Sequence, residues 1–239
     1  MTRLSWLLVL LLLAVVALPP SALAASGAHR LAVPYRSQLD GNPYEEADCG
    51  PAVMAMVLGA YGQDVSTVEL RAVVNDLQGT WGVYEAGSFI ENLAVVAARY
   101  GLRPWGLFPA APGAGQRRPG KNVLRRWTVA ELRRSLEAGQ PVVPQVRYRG
   151  LPGHEQAEYW GDHFVVVTGY DGDAFVYHDP VDRHEPGADR RVPAAQLEAA
   201  WRTSEFPYAA FAVAGPDGRG APTLAAPRQL GVLRRVAAE

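Results

Sequence analysis

The chain reads as an α+β protein, with helices first and a mostly antiparallel sheet after them. Two observations predict this. In the first half, apolar residues recur at helical spacing, and three segments open on Ser or Thr three residues before Glu. After Pro141 the pattern changes to short β-branched and aromatic runs, two of them joined by the turn Asp171-Gly172-Asp173.

Taken in order, Arg30 to Tyr35 reads as a short strand or extended entry that Pro34 closes. Gln38 to Asp48 is a polar loop with the turn signal Asp40-Gly41-Asn42-Pro43. From Gly50 to Tyr61, Val53, Met54, Val57, Leu58 and Tyr61 repeat at helical spacing. Pro51 fits the first turn, where a missing N–H costs nothing, and Gly62 ends the helix. Ser66–Glu69, Ser88–Glu91 and Thr128–Glu131 each match a capping box, in which two side chains satisfy orphan backbone donors. These helices are expected to run to about Leu77, Tyr100 and Ala138, with Gly101 and Gly139 stopping the last two.

Strands are expected at Pro141–Tyr148, His163–Tyr170, Ala174–Tyr177 and Tyr208–Val213, with a short helix from Pro193 to Trp201 before the last. Pro104 to Lys121 is rich in Pro, Gly and Ala and reads as a surface loop. Gly215 to Glu239 has a similar composition and reads as a flexible or loosely docked tail.

The first 24 residues stand apart from the fold. Arg3 precedes an apolar run from Leu4 to Leu18, Pro19-Pro20 breaks it, and Ala22-Leu23-Ala24 has the small-x-small form of a cleavage site. This is the pattern of a secretory signal peptide over 1–24. The run falls short of the roughly 20 residues that span a bilayer. The expected organisation is therefore a signal over 1–24, one domain over 30–214 and a tail over 215–239. The expected location is outside the cell or on the exterior of its envelope, without stable membrane insertion after cleavage.

The 239 residues are 49% hydrophobic and 20% charged, which suits a globular core. A formal net charge of -1 argues against nucleic acid as a partner, since such binders carry a basic excess. The histidines lack ligand spacing, so neither a metal nor a cofactor is expected.

One cysteine is present. It cannot form a disulfide within its own chain, so it is a buried passenger, an intermolecular link or a reactive thiol. Its position bears on the choice. Cys49 follows a polar turn and stands at the start of the first predicted helix, where the helix dipole and free N–H groups stabilise a thiolate.

A thiolate nucleophile needs a base, and the base needs an orienting acceptor. His163 opens the most apolar strand, beside a loop; it is either a cleft residue or a satisfied core histidine. His29, His154 and His184 read as exposed. Asp179 ends the strand that pairs with the His163 strand, and counting outward from the 171–173 turn puts the two near one level. The alternative for Asp179 is a plain turn-forming Asp-Pro. His178, next to it, is expected on the opposite face, because strand side chains alternate. Gln38, in the loop before Cys49, could offer an amide N–H to a developing oxyanion, or be an ordinary loop residue.

Four blocks stand in order: Val33-Pro34-Tyr35-Arg36-Ser37-Gln38-Leu39-Asp40, then Asp48-Cys49-Gly50-Pro51-Ala52, then Gly161-Asp162-His163-Phe164-Val165-Val166-Val167-Thr168-Gly169-Tyr170, then His178-Asp179-Pro180. As a set they resemble the bacterial peptidase C39-like family of papain-like proteins, over about residues 31 to 213. The resemblance implies a papain-like fold, with a helical lobe carrying the cysteine and a sheet lobe carrying the histidine and aspartate. It implies Cys49 as nucleophile, His163 as general base, Asp179 as its orienter and Gln38 as oxyanion donor. Gln38 precedes Cys49 by 11 residues, a longer lead than in the transporter-linked C39 peptidases. Asp162 stands before the histidine where Gly is commoner, and its charge would raise the imidazolium pKa if the two side chains approach.

The resulting expectation is a secreted thiol hydrolase, a monomeric cysteine peptidase acting on a peptide or protein. Two other readings stand beside it: a catalytically silent module that binds peptides or wall fragments, and transglutaminase-like or cell-wall amidase chemistry on the same fold. Leader-peptide processing does not follow, because this chain reads as exported and carries no transporter.

Overall fold

The computed structural model describes residues 27–109, 124–181, 183 and 186–224. The predicted signal over 1–24, residues 110–121 of the predicted surface loop, His184 and the tail from 225 onward lie outside the described residues.

Helix α1, Cys49–Ala60, sits at the centre. Its sequence, Cys-Gly-Pro-Ala-Val-Met-Ala-Met-Val-Leu-Gly-Ala, is apolar all round, and Gly50 to Leu58 and Ala60 are all buried. A helix of that kind belongs inside, not on a surface with one apolar stripe. It packs against α2 (Thr67–Gln78) and α3 (Ile90–Arg99) on one side. On the other side it meets strands β4 (Asp162–Phe164) and β5 (Val166–Asp171). Cys49 therefore opens a helix wedged between a helical lobe and a sheet.

The three predicted caps behave differently. Thr128 and Glu131 form the full reciprocal box at the start of α4, Val129–Glu137. Ser66 Oγ accepts from the Glu69 N–H at 3.1 Å, but the Glu69 carboxylate turns away to accept from Tyr100 Oη at 2.7 Å. Ser88 caps nothing, and α3 starts at Ile90 with Phe89 in the cap position. The reason is packing. A Cβ on Gly50 would lie 2.5 Å from Ser88 Oγ, so the Ser88 side chain is pressed against the first turn of α1 and not aimed at its own helix. The Phe89 N–H is bonded instead by Gln78 Oε1, at 2.9 Å.

The sheet is antiparallel throughout. Its main path runs β2 (Arg103–Trp105), β8 (Ala210–Ala214), β3 (Val142–Arg147), β5, β6 (Ala174–His178), β7 (Arg190–Pro193). Strand β1, Ala28–Arg30, pairs with β5, and β4 pairs with β3. The expected strand from His163 to Tyr170 is thus two strands, broken at Val165, which both lie along β3. Strands β1, β2 and β7 are three or four residues long and carry Arg or Pro, so they lack the apolar alternation that marks a strand in sequence. Helix α5, Ala194–Arg202, follows β7 and packs on β3.

The stretch after Gly215 departs from the expected loose tail as far as it is described. The Ala32 N–H donates to Pro222 O at 2.7 Å, the Leu224 N–H to Arg30 O at 2.8 Å and the Ala221 N–H to Gly139 O at 2.7 Å. Ala221 is buried. Backbone hydrogen bonding, which composition does not reveal, ties residues 221–224 beside β1.

The entry to α1 is fixed by a buried ion pair that the sequence reading did not anticipate. Asp48, immediately before Cys49, pairs with Arg71 of α2, and both side chains are almost without solvent exposure. Arg71 also donates to Ala47 O at 2.7 Å and Ala86 O at 3.1 Å, and Asn42 Nδ2 donates to the second Asp48 oxygen at 2.7 Å. One guanidinium thereby ties the residues before Cys49 to the loop at Ala86. Burial raises the Asp48 carboxyl above its ordinary value, against the pull of Arg71 and Asn42. Such a pair adds little net stability, but breaking it strands a buried charge. Arg71→Met is expected to lower unfolding free energy by about 3–5 kcal/mol. The double variant Asp48→Leu with Arg71→Met should recover much of that loss. Urea unfolding of the three proteins checks this; a loss below about 1 kcal/mol for Arg71→Met would place the pair on the surface energetically.

Candidate functional site

Cys49, His163 and Asp179 meet where α1 abuts the sheet. The Cys49 thiol, partly exposed, stands close enough to the His163 ring to help raise its pKa. His163 Nε2 lies 2.9 Å from Asp179 Oδ1. With Nε2 on the carboxylate, Nδ1 is the ring nitrogen left for the thiol. The groups stand in the order sulfur, imidazole, carboxylate, the order that activation of a thiol requires.

Each group is held by its backbone. His163 is in β4, where it pairs in register with Val146 of β3. Val166 pairs with His178, so Asp179 lies just past the end of β6, opposite the break at Val165. There the Asp179 N–H donates to Gly187 O at 2.8 Å. Gly187 is required for this approach, since a Cβ there would lie 2.0 Å from Asp179 O. The Val181 N–H donates to Asp179 Oδ1 at 3.0 Å, a turn across Pro180 closed by the side chain itself. Asp179 therefore closes a side-chain turn and also meets the ring of a histidine through the same oxygen.

The electrostatics follow from burial and partners. Burial alone would lower the His163 pKa. The charge and hydrogen bond of Asp179, then the thiol of Cys49, outweigh it and push His163 up to about 10. Burial likewise works against an ionised Asp179, but His163 first and then a second histidine, His154, hold its carboxyl well below the usual carboxylate range. Near neutral pH the pair is imidazolium and carboxylate.

Gln38 is buried. Its backbone N–H donates to Pro180 O at 2.9 Å, which places it beside Asp179 in the sheet lobe. Its side chain Nε2 donates to Glu45 O at 2.7 Å, in the 3-10 turn Glu45–Ala47 that leads into Cys49. The longer lead from Gln38 to Cys49 is thus folded into a turn that packs back on Gln38 itself. One of the two amide protons is spent on Glu45 O, and Oε1 is buried without a hydrogen-bond partner among the described residues.

Asp162 does not act on His163. Its side chain leaves on the other face of β4, accepting from Gln145 Nε2 at 2.9 Å and the Glu205 N–H at 2.6 Å, with Arg147 at 3.4 Å. Adjacent strand residues point apart, so sequence proximity to the histidine does not become contact. The same alternation puts His178 away from the site. It is buried, donates from Nε2 to Val33 O at 2.8 Å and accepts the Asp189 N–H on Nδ1 at 3.0 Å. His29 is not a solvated surface residue either: it lies in β1, half-buried, with its ring stacked on Tyr170 at 5.9 Å.

Three residues of the site were not found in the sequence. His154, expected to be exposed, has only 12% of its side chain accessible and places Nε2 2.8 Å from Asp179 Oδ2. Tyr148 stacks on His154 at 4.2 Å and stands edge-on to His163 at 5.0 Å. Burial, then the Asp179 charge, push the Tyr148 hydroxyl up to about 12. Tyr159, half exposed, senses the Cys49 charge after burial in the rise of its own pKa, and its hydroxyl donates to Asp162 O at 3.0 Å. Beside it Trp160 is 70% exposed under the Arg149 guanidinium. The loop that presses Ser88 onto Gly50 exposes Trp81, Tyr84 and Phe89. Among the described residues, no group of three or more His, Cys, Asp or Glu side chains is placed to hold a metal ion, and no helix is long and apolar enough to cross a membrane.

The linkage has a definite sign. A histidine raised to about 10 adds stability that is complete below its unfolded value near 6.5 and is lost as pH rises through about 10. A depressed carboxyl adds stability that is present above about 4 and is lost as pH falls below it. The stability difference between the parent and Asp179→Asn should therefore be largest between about pH 4 and 6.5 and shrink on both sides. Urea unfolding across pH 3–10 measures it; a difference that stays constant with pH would show that the two groups do not pair.

The model of the peptidase C39-like family matches residues 30–208. No curated protein matches the chain. Among solved structures, a C39-like peptidase from Bacillus anthracis is 22% identical, with a TM-score of 0.53, over 77% of this chain and 96% of that one. A double-glycine-motif protease from an AMS/PCAT transporter, solved with its leader peptide, is 20% identical, with a TM-score of 0.48, over 78% and 96% of the two chains. The peptidase domain of Streptococcus ComA, a bi-functional ABC transporter, is 18% identical, with a TM-score of 0.44, over 78% and 98%. The first of these shares the fold, and the family model spans the helical lobe, strands β2 to β7 and the positions of Cys49, His163 and Asp179: the chain belongs to the peptidase C39-like family.

Proposed function

We propose that the protein is an exported cysteine peptidase that cleaves amide bonds with Cys49, His163, Asp179 and Gln38. The observation that carries this is the His163 ring held at 2.9 Å by a fully buried Asp179, with the Cys49 thiol near enough to act on that ring's protonation. Membership of a peptidase family supports it.

The chemistry proceeds in two halves. The Cys49 thiolate attacks the substrate carbonyl carbon, and its electron pair moves onto the oxygen. The Cys49 N–H, at the start of α1, and the free amide proton of Gln38 hold that oxyanion. His163 gives its Nδ1 proton to the leaving amine as the C–N bond breaks, which leaves a thioester on Cys49. His163, now neutral, takes a proton from a water that attacks the thioester. The acid is released and the thiolate–imidazolium pair returns. Throughout, Asp179 keeps Nε2–H directed at itself and so keeps Nδ1 facing the sulfur. The exposed aromatics Tyr159 and Trp160, before β4, and Trp81, Tyr84 and Phe89, before α3, offer apolar contacts to the flanking side chains of a peptide.

Export rests on the apolar run from Leu4 to Leu18 and the Ala22-Leu23-Ala24 site. The protein recovered from outside the cells that make it is expected to begin after Ala24 by mass spectrometry; full-length protein retained inside would contradict export.

Two experiments test the chemistry. With iodoacetamide at pH 6, well below the ordinary thiol pKa of about 8.5, Cys49 should alkylate at least about tenfold faster than free cysteine. A rate equal to that of free cysteine, with no hydrolysis by the parent and peptide binding unchanged in Cys49→Ala, would favour a non-catalytic binding module. Against a library of quenched fluorescent peptides, Gln38→Ala should lower kcat by about 10²–10³ with little change in KM. An unchanged kcat would move the oxyanion site elsewhere.

A further inference from the structure

The Cys49–His163–Asp179 order leaves one contact unused. Asp179 has two oxygens, and the relay employs only Oδ1. Oδ2 is 2.8 Å from His154 Nε2. We infer that His154 is a positioning residue of the proposed catalytic site, the fourth member of a relay that runs Cys49, His163, Asp179, His154; this rests on the thiol-peptidase reading of that site.

The geometry is specific. Oδ1 receives His163 at 2.9 Å and the Val181 N–H at 3.0 Å, which by themselves leave the carboxylate free to swing about its Cβ–Cγ bond. A donor on Oδ2 removes that freedom, because both ends of the carboxylate are then tied. His154 is itself tied. Its N–H donates to Leu151 O at 3.1 Å, its carbonyl accepts the Ala157 N–H at 3.0 Å, and Leu151 is fully buried. Its ring is stacked on Tyr148, whose own ring stands edge-on to His163. Tyr148 therefore touches both of the imidazoles that meet the carboxylate. A 3-10 turn at Tyr148–Gly150 and the turn at Leu151 bring His154 back over the end of β6. The segment that separates β3 from β4 thus serves the relay as a clamp on its buried end.

The clamp matters because His163 reads Asp179 through one hydrogen bond. If the carboxylate rotates, Nε2 loses its acceptor, the ring turns and Nδ1 leaves the sulfur. Displacements of about an ångström at a reacting centre can cost about 10²-fold in rate.

Two variants of the full chain separate positioning from folding. His154→Leu fills the space without a donor, and His154→Gln restores an N–H donor. For each, the rate of Cys49 alkylation by iodoacetamide at pH 6, the urea unfolding midpoint and the downfield NMR signal of the His163 Nε2 proton are measured. The expected result for His154→Leu is a fall of about tenfold or more in alkylation rate, with the Nε2 proton signal broadened or lost. His154→Gln should return the rate to within about twofold of the parent and keep the signal. The inference is overturned if His154→Leu alkylates at the parental rate with the signal intact, or if the Leu and Gln variants fall alike in step with their unfolding midpoints. A parent whose Cys49 reacts no faster than free cysteine would instead overturn the peptidase reading; the Nε2 signal in the two variants would then decide by itself whether His154 clamps Asp179.

Discussion

Asp179 carries a charge at a position with no solvent contact, and a charge there persists only where the protein replaces the water it has lost. The surroundings of the site can be read as that replacement. His163 and the Val181 N–H meet one oxygen and His154 meets the other, while the Tyr148 ring packs on both histidines. Gly187 is small because the chain must pass against the Asp179 backbone. The same burial that makes the carboxylate costly strengthens its hold on His163, since Coulombic attraction grows as the local dielectric falls. A solvated aspartate at the same distance would orient the ring far less firmly.

A second buried charge performs the matching task on the other lobe. Asp48 and Arg71 fix the residues before Cys49 to α2 and to the loop at Ala86. Helix α1, apolar on every face, cannot move without dragging the core with it. The sulfur is thus set by one lobe and the imidazole by the other, and the packing of α1 on β4 and β5 sets the distance between them. Neither ion pair needs to add much net stability to serve this purpose; each specifies where a short segment of backbone must lie.

The parts of this arrangement that were legible in the sequence are those that local patterns encode. The order of helices and then strands followed from periodicity and turn residues, and the Thr128–Glu131 box formed as its spacing implies. Cys49 at a helix start, His163 at a strand start and Asp179 past a strand end were each visible as positions, and the family resemblance joined them. What was hidden depended on contacts between distant segments. Ser88 met Gly50 and ceased to be a cap, and the residues after Gly215 found backbone partners beside β1. His154 lies in a stretch with no periodicity, where nothing local distinguishes a bonded histidine from an exposed one. Arg71 did leave a trace: it falls beside Leu70 and Val74 on the buried stripe of α2, where a charge requires a partner. Asp162 shows the reverse error, since adjacency in sequence suggested a contact with His163 that the alternation of β4 forbids.

The account turns on His163 being held protonated between Asp179 and Cys49. The direct measurement is a pH titration of the ¹⁵N-labelled His163 ring in the intact protein by NMR. The expected result is a ring that stays protonated through neutral pH and titrates near 10, with Nε2–H protected from solvent. A His163 that titrates near the ordinary value of about 6.5 would contradict the account, because a neutral imidazole at pH 7 could neither hold the thiolate nor protonate the leaving amine.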